Sequence, residues 1–297
     1  VASSPSPRSS EAREKARQIA AKQSKRSSNS SRLWWQIGVV VVLVLIIGII
    51  AAVYTHNKKG EIPDSGPVPT SANQYGGIVV TKDGIKKDTS DVDTRDVNDL
   101  KTSSASASPD DESEGKETTL PVGMPTADEA KKNGQPPRVT IFQDYNCIHC
   151  AEFEKANGEE IKRQVLDGDA TLEIRNLNFL DQETSTEYSS RAAMAAYSVA
   201  EQVSPEKFLD WQAEMFSHQG QGGMSNKELA ALADKYGADI KDDLDSNKYR
   251  PMVNVTVAES KENGLSGTPT SYVDSTKFTG QSFTDFLNGI KKAKSGS

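Results

Sequence analysis

The sequence predicts an α/β domain with an inserted α-helical block, set behind a single transmembrane helix and a disordered linker. Three observations predict it. Residues 33–55 run for 23 positions without a charge. A β-branched and aromatic run, residues 138–146 (RVTIFQDYN), leads directly into Cys147-Ile148-His149-Cys150 and then into a helix-like segment. Between Thr184 and Glu262 apolar residues recur at helical spacing, before strand signals return at Thr270.

The apolar run comes first in the chain. About 20 apolar residues suffice to span a bilayer as a helix, whereas a signal-peptide core is about 7–15 residues long. Ala51-Ala52-Val53 does not fit an A-x-A cleavage site, so the segment reads as a retained anchor. Trp34, Trp35 and Tyr54 stand at its two ends, where aromatic rings favour the headgroup level. The run is apolar on every face, unlike the helix of a soluble domain.

Flanking charge sets the orientation. Residues 1–32 carry eight Lys/Arg against Glu11 and Glu14, a net +6. Positive charge stays inside, so the N-terminus is expected in the cytoplasm and everything after Thr55 outside the cell membrane. The whole chain carries −7, which leaves −13 for the remainder. That acidic balance argues against nucleic acid as a partner of the outer part. The basic tail reads as a stretch attracted to anionic membrane lipid.

Residues 56–77 are rich in Pro, Ser and Gly and read as linker; the folded unit is expected over 78–294. Ile78–Thr81 is strand-like, with a turn signal at Asp83-Gly84. Residues 86–120 are rich in Asp, Ser and Thr with few large apolar side chains, so a mobile acidic insertion is expected there. Thr126 to Glu129 fits a capping box opening a short helix. Past the cysteines, Ala151–Leu166 reads as a helix kinked at Asn157-Gly158, and Thr171–Leu177 as a strand.

Helices follow over about 182–262. The first lies within Thr184–Val203. The second opens at Ser204-Pro205, with proline in its favoured first position, and runs to about Phe216. The third starts at the Ser225–Glu228 capping box and stops at Gly237, and the fourth covers about Asn247–Glu262. Thr270–Val273 and Ser275–Phe278 read as paired strands, and Ser282–Lys294 as a closing helix. A unit of this size can bury a real core.

The chemistry is concentrated in two residues. Cys147 and Cys150 are the chain's two cysteines. A cysteine at a strand-to-helix junction puts its sulfur at the helix N-terminus, where unpaired N–H groups and the helix dipole stabilise negative charge. The thiolate is the reactive species in thiol–disulfide exchange, so the pair reads as a redox-active dithiol. A zinc site needs four ligands, and His56, His149 and His218 supply no second pair at finger spacing. A c-type haem site needs C-x-x-C-H, but Ala151 follows Cys150. An inert packing pair remains the alternative. His56 and His218 have no functional signal. The imidazole of His149 is expected to place partial positive charge near the Cys147 sulfur.

The order strand, C-x-x-C, helix, strand, helices, Gly-Thr-Pro, hairpin, helix resembles the thioredoxin superfamily. More specifically, it resembles the DsbA-like, membrane-anchored thiol-disulfide oxidoreductases of Gram-positive envelopes. Cys147-Ile148-His149-Cys150 carries histidine where the DsbA-type motif does. Gly267-Thr268-Pro269-Thr270 matches the loop that holds the superfamily's cis-proline. The separation of 122 positions from Cys147 to Pro269 leaves room for the helical insertion of the DsbA branch. Asn178 to Asp181 and Ser190 to Tyr197 also resemble this branch.

The resemblance implies a thioredoxin-like fold and disulfide exchange at Cys147, Cys150 and His149. It also implies substrate binding along Thr268 and Pro269, where an extended chain could pair with the backbone as an added strand. No cofactor and no metal are implied, and a monomer is expected. The implied partners are unfolded exported proteins with cysteine thiols and a membrane partner that reoxidises the dithiol. The implied direction is oxidation, because Ile148-His149 lacks thioredoxin's Gly-Pro. Reductase or isomerase activity and a membrane-tethered peptide-binding module are the alternatives. One position departs from the family. Ile141 stands six residues before Cys147, where thioredoxin and DsbA usually carry a buried acid, which leaves Asp144 or Glu152, acting through water, as replacements.

Overall fold

The structure, a computed structural model, describes residues 14–19, 62–100, 120–132, 134–183, 185–219, 222–280 and 282–295. The chain divides into two units, residues 1–61 and 62–297. In the first, residues 14–19 are helical. The apolar run 33–55 lies outside the described residues. Among those described, no helix is long and apolar enough to cross a membrane.

The second unit is built on a six-stranded sheet. Its strands are β2 (Gly77–Thr81), β3 (Gly84–Ile85), β5 (Arg138–Gln143), β6 (Thr171–Asn176), β7 (Thr270–Val273) and β8 (Thr276–Lys277), in the order β3-β2-β6-β5-β7-β8. β5 and β6 run parallel, with Ile141 opposite Ile174, and the other neighbours are antiparallel. The parallel pair needs a crossover connection. Helix α2 (Ile148–Asp167) supplies it, following the short helix α1 (Ala127–Lys132). Gly168 ends α2 in the left-handed conformation at φ 81°, and its N–H bonds back to the last turn.

β5 is buried on both faces. Ile141 faces a narrow cleft between α2 and the later helix α4 (Pro205–Ser217). Phe142 faces the other way, with the Arg175 guanidinium 5.2 Å from its ring centre. On that second face the fully buried Glu173 pairs with Arg175 at 2.8 Å and Arg138 at 3.1 Å, so its carboxyl stays ionised despite burial.

Between β6 and β7 the chain makes a 3-10 turn (Phe179–Glu183) and five helices. They are α3 (Tyr188–Ala200), α4, α5 (Asn226–Tyr236), α6 (Lys241–Asp245) and α7 (Arg250–Glu262). α3 is buried nearly all round and packs against α4, α5, α6 and α7. Its alanines at 192, 193, 195 and 196 let those helices come close. Ser204 and Ser225 cap α4 and α5 as the sequence predicts, the latter with a full capping box to Glu228. Helix α8 (Phe283–Ser295) follows β8.

Several expectations need correcting. The linker expected over 56–77 is ordered from residue 62. There β1 (Ser65–Pro67) pairs with β4 (Thr94–Asp96), while Ser71 is buried and donates to the Tyr197 carbonyl. β4 lies inside the stretch 86–120 expected to be mobile. Arg95 bonds Glu259 of α7 at 2.5 Å, and Val97 and Leu100 pack against the core. A few well-placed side chains therefore anchor residues 86–100, although the segment's average composition is polar; residues 101–119 lie outside the described residues. The helix α2 runs unbroken through Asn157-Gly158. A β-carbon at Gly158 would sit 2.5 Å from a carboxylate oxygen of Glu154, so this glycine provides space rather than a bend.

Candidate active site

Residues 144–147 form the turn from β5 into α2. Asp144 accepts the Asn146 N–H at 2.8 Å through its carboxylate, and the Cys147 N–H through its carbonyl at 3.0 Å. This is an Asx-type turn, in which a short acid side chain replaces a backbone acceptor. Tyr145, between them, is fully buried, with its ring against Trp211 and Phe216 of α4. The Asn146 carbonyl accepts from Gln219 at 3.1 Å.

The turn delivers Cys147 to the N-cap position of α2, in extended conformation and with no side-chain capping bond. Its sulfur therefore sits among the unpaired N–H groups of the first helical turn. The Cys147 thiol group is lowered from its ordinary range to about 5. The largest cause is the Cys150 thiol donating toward the sulfur; the Thr268 hydroxyl and the Cys150 and His149 N–H groups add to it, against desolvation. Cys150 is 2% exposed, and burial pushes its thiol far up, with the neighbouring sulfur adding to the shift. The two thiols are not joined. One sulfur is thus ready as a thiolate and the other is kept protonated. That asymmetry fits the attacking and resolving partners of disulfide exchange.

The Gly-Thr-Pro loop lies against the pair. The Thr268–Pro269 peptide bond is cis. The Thr268 carbonyl oxygen is 3.3 Å from the Cys147 sulfur, and the strand β7 that follows pairs with β5. The fold thus brings Cys147, Cys150, Thr268 and Pro269 together from two ends of the domain.

His149 lies on the exposed first turn of α2. Its ring is 72% exposed, and Nδ1 lies 2.9 Å from a Glu152 carboxylate oxygen. That hydrogen bond is the main reason its pKa is raised, with Cys147 a minor one. His149 bears on the thiolate through its backbone N–H and, more weakly, through the charge of its imidazole. Glu152, itself 67% exposed, points away from the protein interior and makes a poor proton acceptor for the buried sulfur.

Sequence reasoning passed over Glu154. It follows Cys150 by one helical turn, so the two share a face of α2. It lines the cleft with Ile141, Gly158, Leu209 and Gln212, and one carboxylate oxygen accepts from Gln212 at 3.4 Å. Burial pushes its carboxyl up to about 7. The i, i+4 spacing from Cys150, together with the glycine four residues further on, was the available sequence signal. Asp144 is fully buried, and burial pushes it up to about 6, against hydrogen bonds from the Leu180 and Asn146 N–H groups. Among the described residues, no cluster of His, Cys, Asp and Glu is arranged to hold a metal ion.

The chain is 31% identical over 111 residues to the serine/threonine-protein kinase PknE of Mycobacterium tuberculosis, a stretch covering 35% of this chain and 20% of the kinase. It thus spans about a fifth of the length of the curated relatives it matches. Among solved structures, it is similar to reduced DsbA from Mycobacterium tuberculosis, with 28% identity, a TM-score of 0.48, and coverage of 54% of this chain and 83% of that one. It is also similar to oxidised BdbD from Bacillus subtilis, with 21% identity, a TM-score of 0.49, and coverage of 60% and 99%. Residues 132–292 match the family model described as Thioredoxin, a span that takes in both cysteines and the Thr268–Pro269 loop, and the chain belongs to that family.

Proposed function

We propose that this protein is an extracytoplasmic thiol-disulfide oxidoreductase that introduces disulfides into exported proteins. The observation that carries the reading is the split between the two sulfurs: Cys147 held as a thiolate, Cys150 buried and protonated. A low pKa at the first cysteine stabilises the reduced enzyme, which makes its disulfide a better oxidant. A substrate thiolate attacks the Cys147–Cys150 disulfide at Cys147. The S–S bond breaks, a mixed disulfide forms, and Cys150 leaves as a thiolate that takes up a proton. A second substrate thiolate then attacks the substrate sulfur of the mixed disulfide and expels Cys147 as a thiolate. The substrate is oxidised by two electrons, and the enzyme dithiol holds them.

Glu154 is the group we assign to that proton, because it shares the face of α2 with Cys150 and its carboxyl titrates near neutrality. Thr268 and Pro269 would bind the extended substrate, the Thr268 backbone lying beside the sulfur. The uncharged run 33–55, with the basic residues 1–32 before it, supports a single-pass anchor with the catalytic domain outside. Reoxidation would then fall to a membrane partner.

The test replaces Cys150 with Ser, keeps Cys147, and looks for substrate trapped as a mixed disulfide on the envelope side. Trapped exported proteins are expected, and their absence would count against the proposal. Equilibrium with glutathione fixes direction: a potential near thioredoxin's, about −270 mV, would assign a reductase, whereas one nearer DsbA's, about −120 mV, is expected.

A further inference from the structure

Asp144 holds more than its own turn. Its second carboxylate oxygen accepts the Leu180 N–H at 3.0 Å, from the 3-10 turn where the chain leaves β6 for the insertion. The same turn carries Asp181, which accepts the Ser189 and Ser190 N–H groups at 2.9 and 3.0 Å and so caps α3. A fully buried carboxylate thus joins the cysteine turn, through Asn146, to the first turn of the inserted domain, through Leu180. Buried carboxylates are costly unless their oxygens are matched. Here both are, and both matches are to backbone N–H groups whose positions decide where α2 begins and where the insertion begins.

We propose that Asp144 is a positioning residue for Cys147. It locks the cysteine turn to the inserted domain, and so holds the Cys147 sulfur at the helix end where the N–H groups and Thr268 stabilise its charge. This rests on the redox reading of the dithiol and adds to it the role of the insertion: the helical domain supports the geometry of the nucleophile as well as covering the sheet.

Two substitutions break the bridge by different routes. Asp144→Asn keeps one acceptor oxygen for Asn146, but its amide cannot accept from Leu180. Leu180→Pro removes the Leu180 N–H and leaves Asp144 unchanged, in the first turn of the 3-10 segment Phe179–Glu183. The measurement is the rate of Cys147 alkylation by iodoacetamide against pH in the reduced protein, with mass spectrometry assigning the site and a melting curve establishing that each variant is folded. Both single variants are expected to raise the alkylation midpoint by about one pH unit, a tenfold loss of thiolate below the midpoint. The double variant is expected to go no further than the larger single one, because both remove the same bridge.

At the Cys147 midpoint, about 5, the Asp144 carboxyl, pushed up to about 6 by burial, carries little charge, so Asp144→Asn removes the bridge while hardly altering the local charge. A lowered or unchanged midpoint in folded Asp144→Asn, or in folded Leu180→Pro, therefore overturns the proposal. A midpoint in the ordinary cysteine range for the unaltered protein would instead overturn the redox reading, and this inference with it. If one variant does not fold, the other decides.

Discussion

The Thr268 carbonyl oxygen lies 3.3 Å from the Cys147 sulfur, across 121 residues of chain. The carbonyl accepts from the thiol form, and the Thr268 hydroxyl lowers the thiol pKa by donating to the thiolate. One residue therefore meets both protonation states of the nucleophile. The inserted helices account for most of the intervening sequence, yet the sheet returns the chain to the site because β7 must pair with β5, opposing Thr270 to Phe142 five residues before the cysteine.

Thr268→Val keeps the size and the β-branching and removes the hydroxyl. The midpoint for Cys147 alkylation is expected to rise from about 5, with Thr268→Ser staying near the parent value. Equal midpoints for Val and Ser would show that the hydroxyl does not stabilise the thiolate.

The depressed Cys147 pKa also fixes the pH dependence of the redox equilibrium. Its ordinary value is 9.0 and its value here about 5, so between those limits the reduced protein binds one proton fewer than two ordinary thiols would. Reduced protein gains stability from this group as pH rises through the window and loses it as pH falls through about 5. Two glutathione thiols release two protons on oxidation, whereas the reduced enzyme takes up one. The equilibrium with glutathione should shift toward reduced enzyme by about tenfold per pH unit from about 5.5 to 8. Measured by trapping the dithiol after equilibration, a pH-independent constant across that range would contradict the thiolate assignment.

The sequence makes Cys147, Cys150, Thr268 and Pro269 legible because local chemistry announces them: a strand–helix junction, and a short Gly-Thr-Pro loop. The capping boxes at Thr126 and Ser225 are equally local and are present in the structure. What the sequence conceals is set by tertiary contact. His149 and Glu152 lie on the exposed turn and satisfy each other. Half-buried Glu154 differs from Glu152 in sequence only by its i, i+4 spacing from Cys150. β1 and β4 exist because Arg95 finds Glu259 and the strands find each other, which composition averaged over a polar stretch does not reveal. α6 is five residues long, too short for its periodicity to show.

Trp211 tests how far the aromatic packing supports the cysteine turn. It is fully buried in α4, edge-on to Tyr145 at 5.9 Å and stacked with Phe208. Trp211→Ala should cost about 3–5 kcal/mol of unfolding free energy, read from denaturant titration. Trp211→Phe retains most of the ring surface and removes an indole N–H that finds no partner, so it should cost clearly less than Ala. Similar losses for the two would show that a phenyl ring does not recover the packing of the indole.

Glu154→Gln separates the proton-transfer role from the fold. Glutamine keeps the shape and can still bond Gln212, but it carries no proton to exchange. With Cys147 and a model peptide thiol joined in a mixed disulfide, release by Cys150 requires that buried thiol to lose its proton. The rate at pH 7 should fall by about a hundredfold, the lower end of the usual range for a general base. In the parent the rate should rise with pH through an inflection near 7, the value to which burial raises Glu154, and that inflection should be absent in the variant. Stability should move the other way. An acid raised from 4.5 to about 7 binds more protons when folded, so the parent loses stability as pH climbs between those values. Glutamine does not titrate, and the variant should therefore be the more stable of the two at pH 8. An unchanged inflection in Glu154→Gln would move the proton acceptor elsewhere, with Asp144, buried and raised to about 6, the next carboxylate to replace.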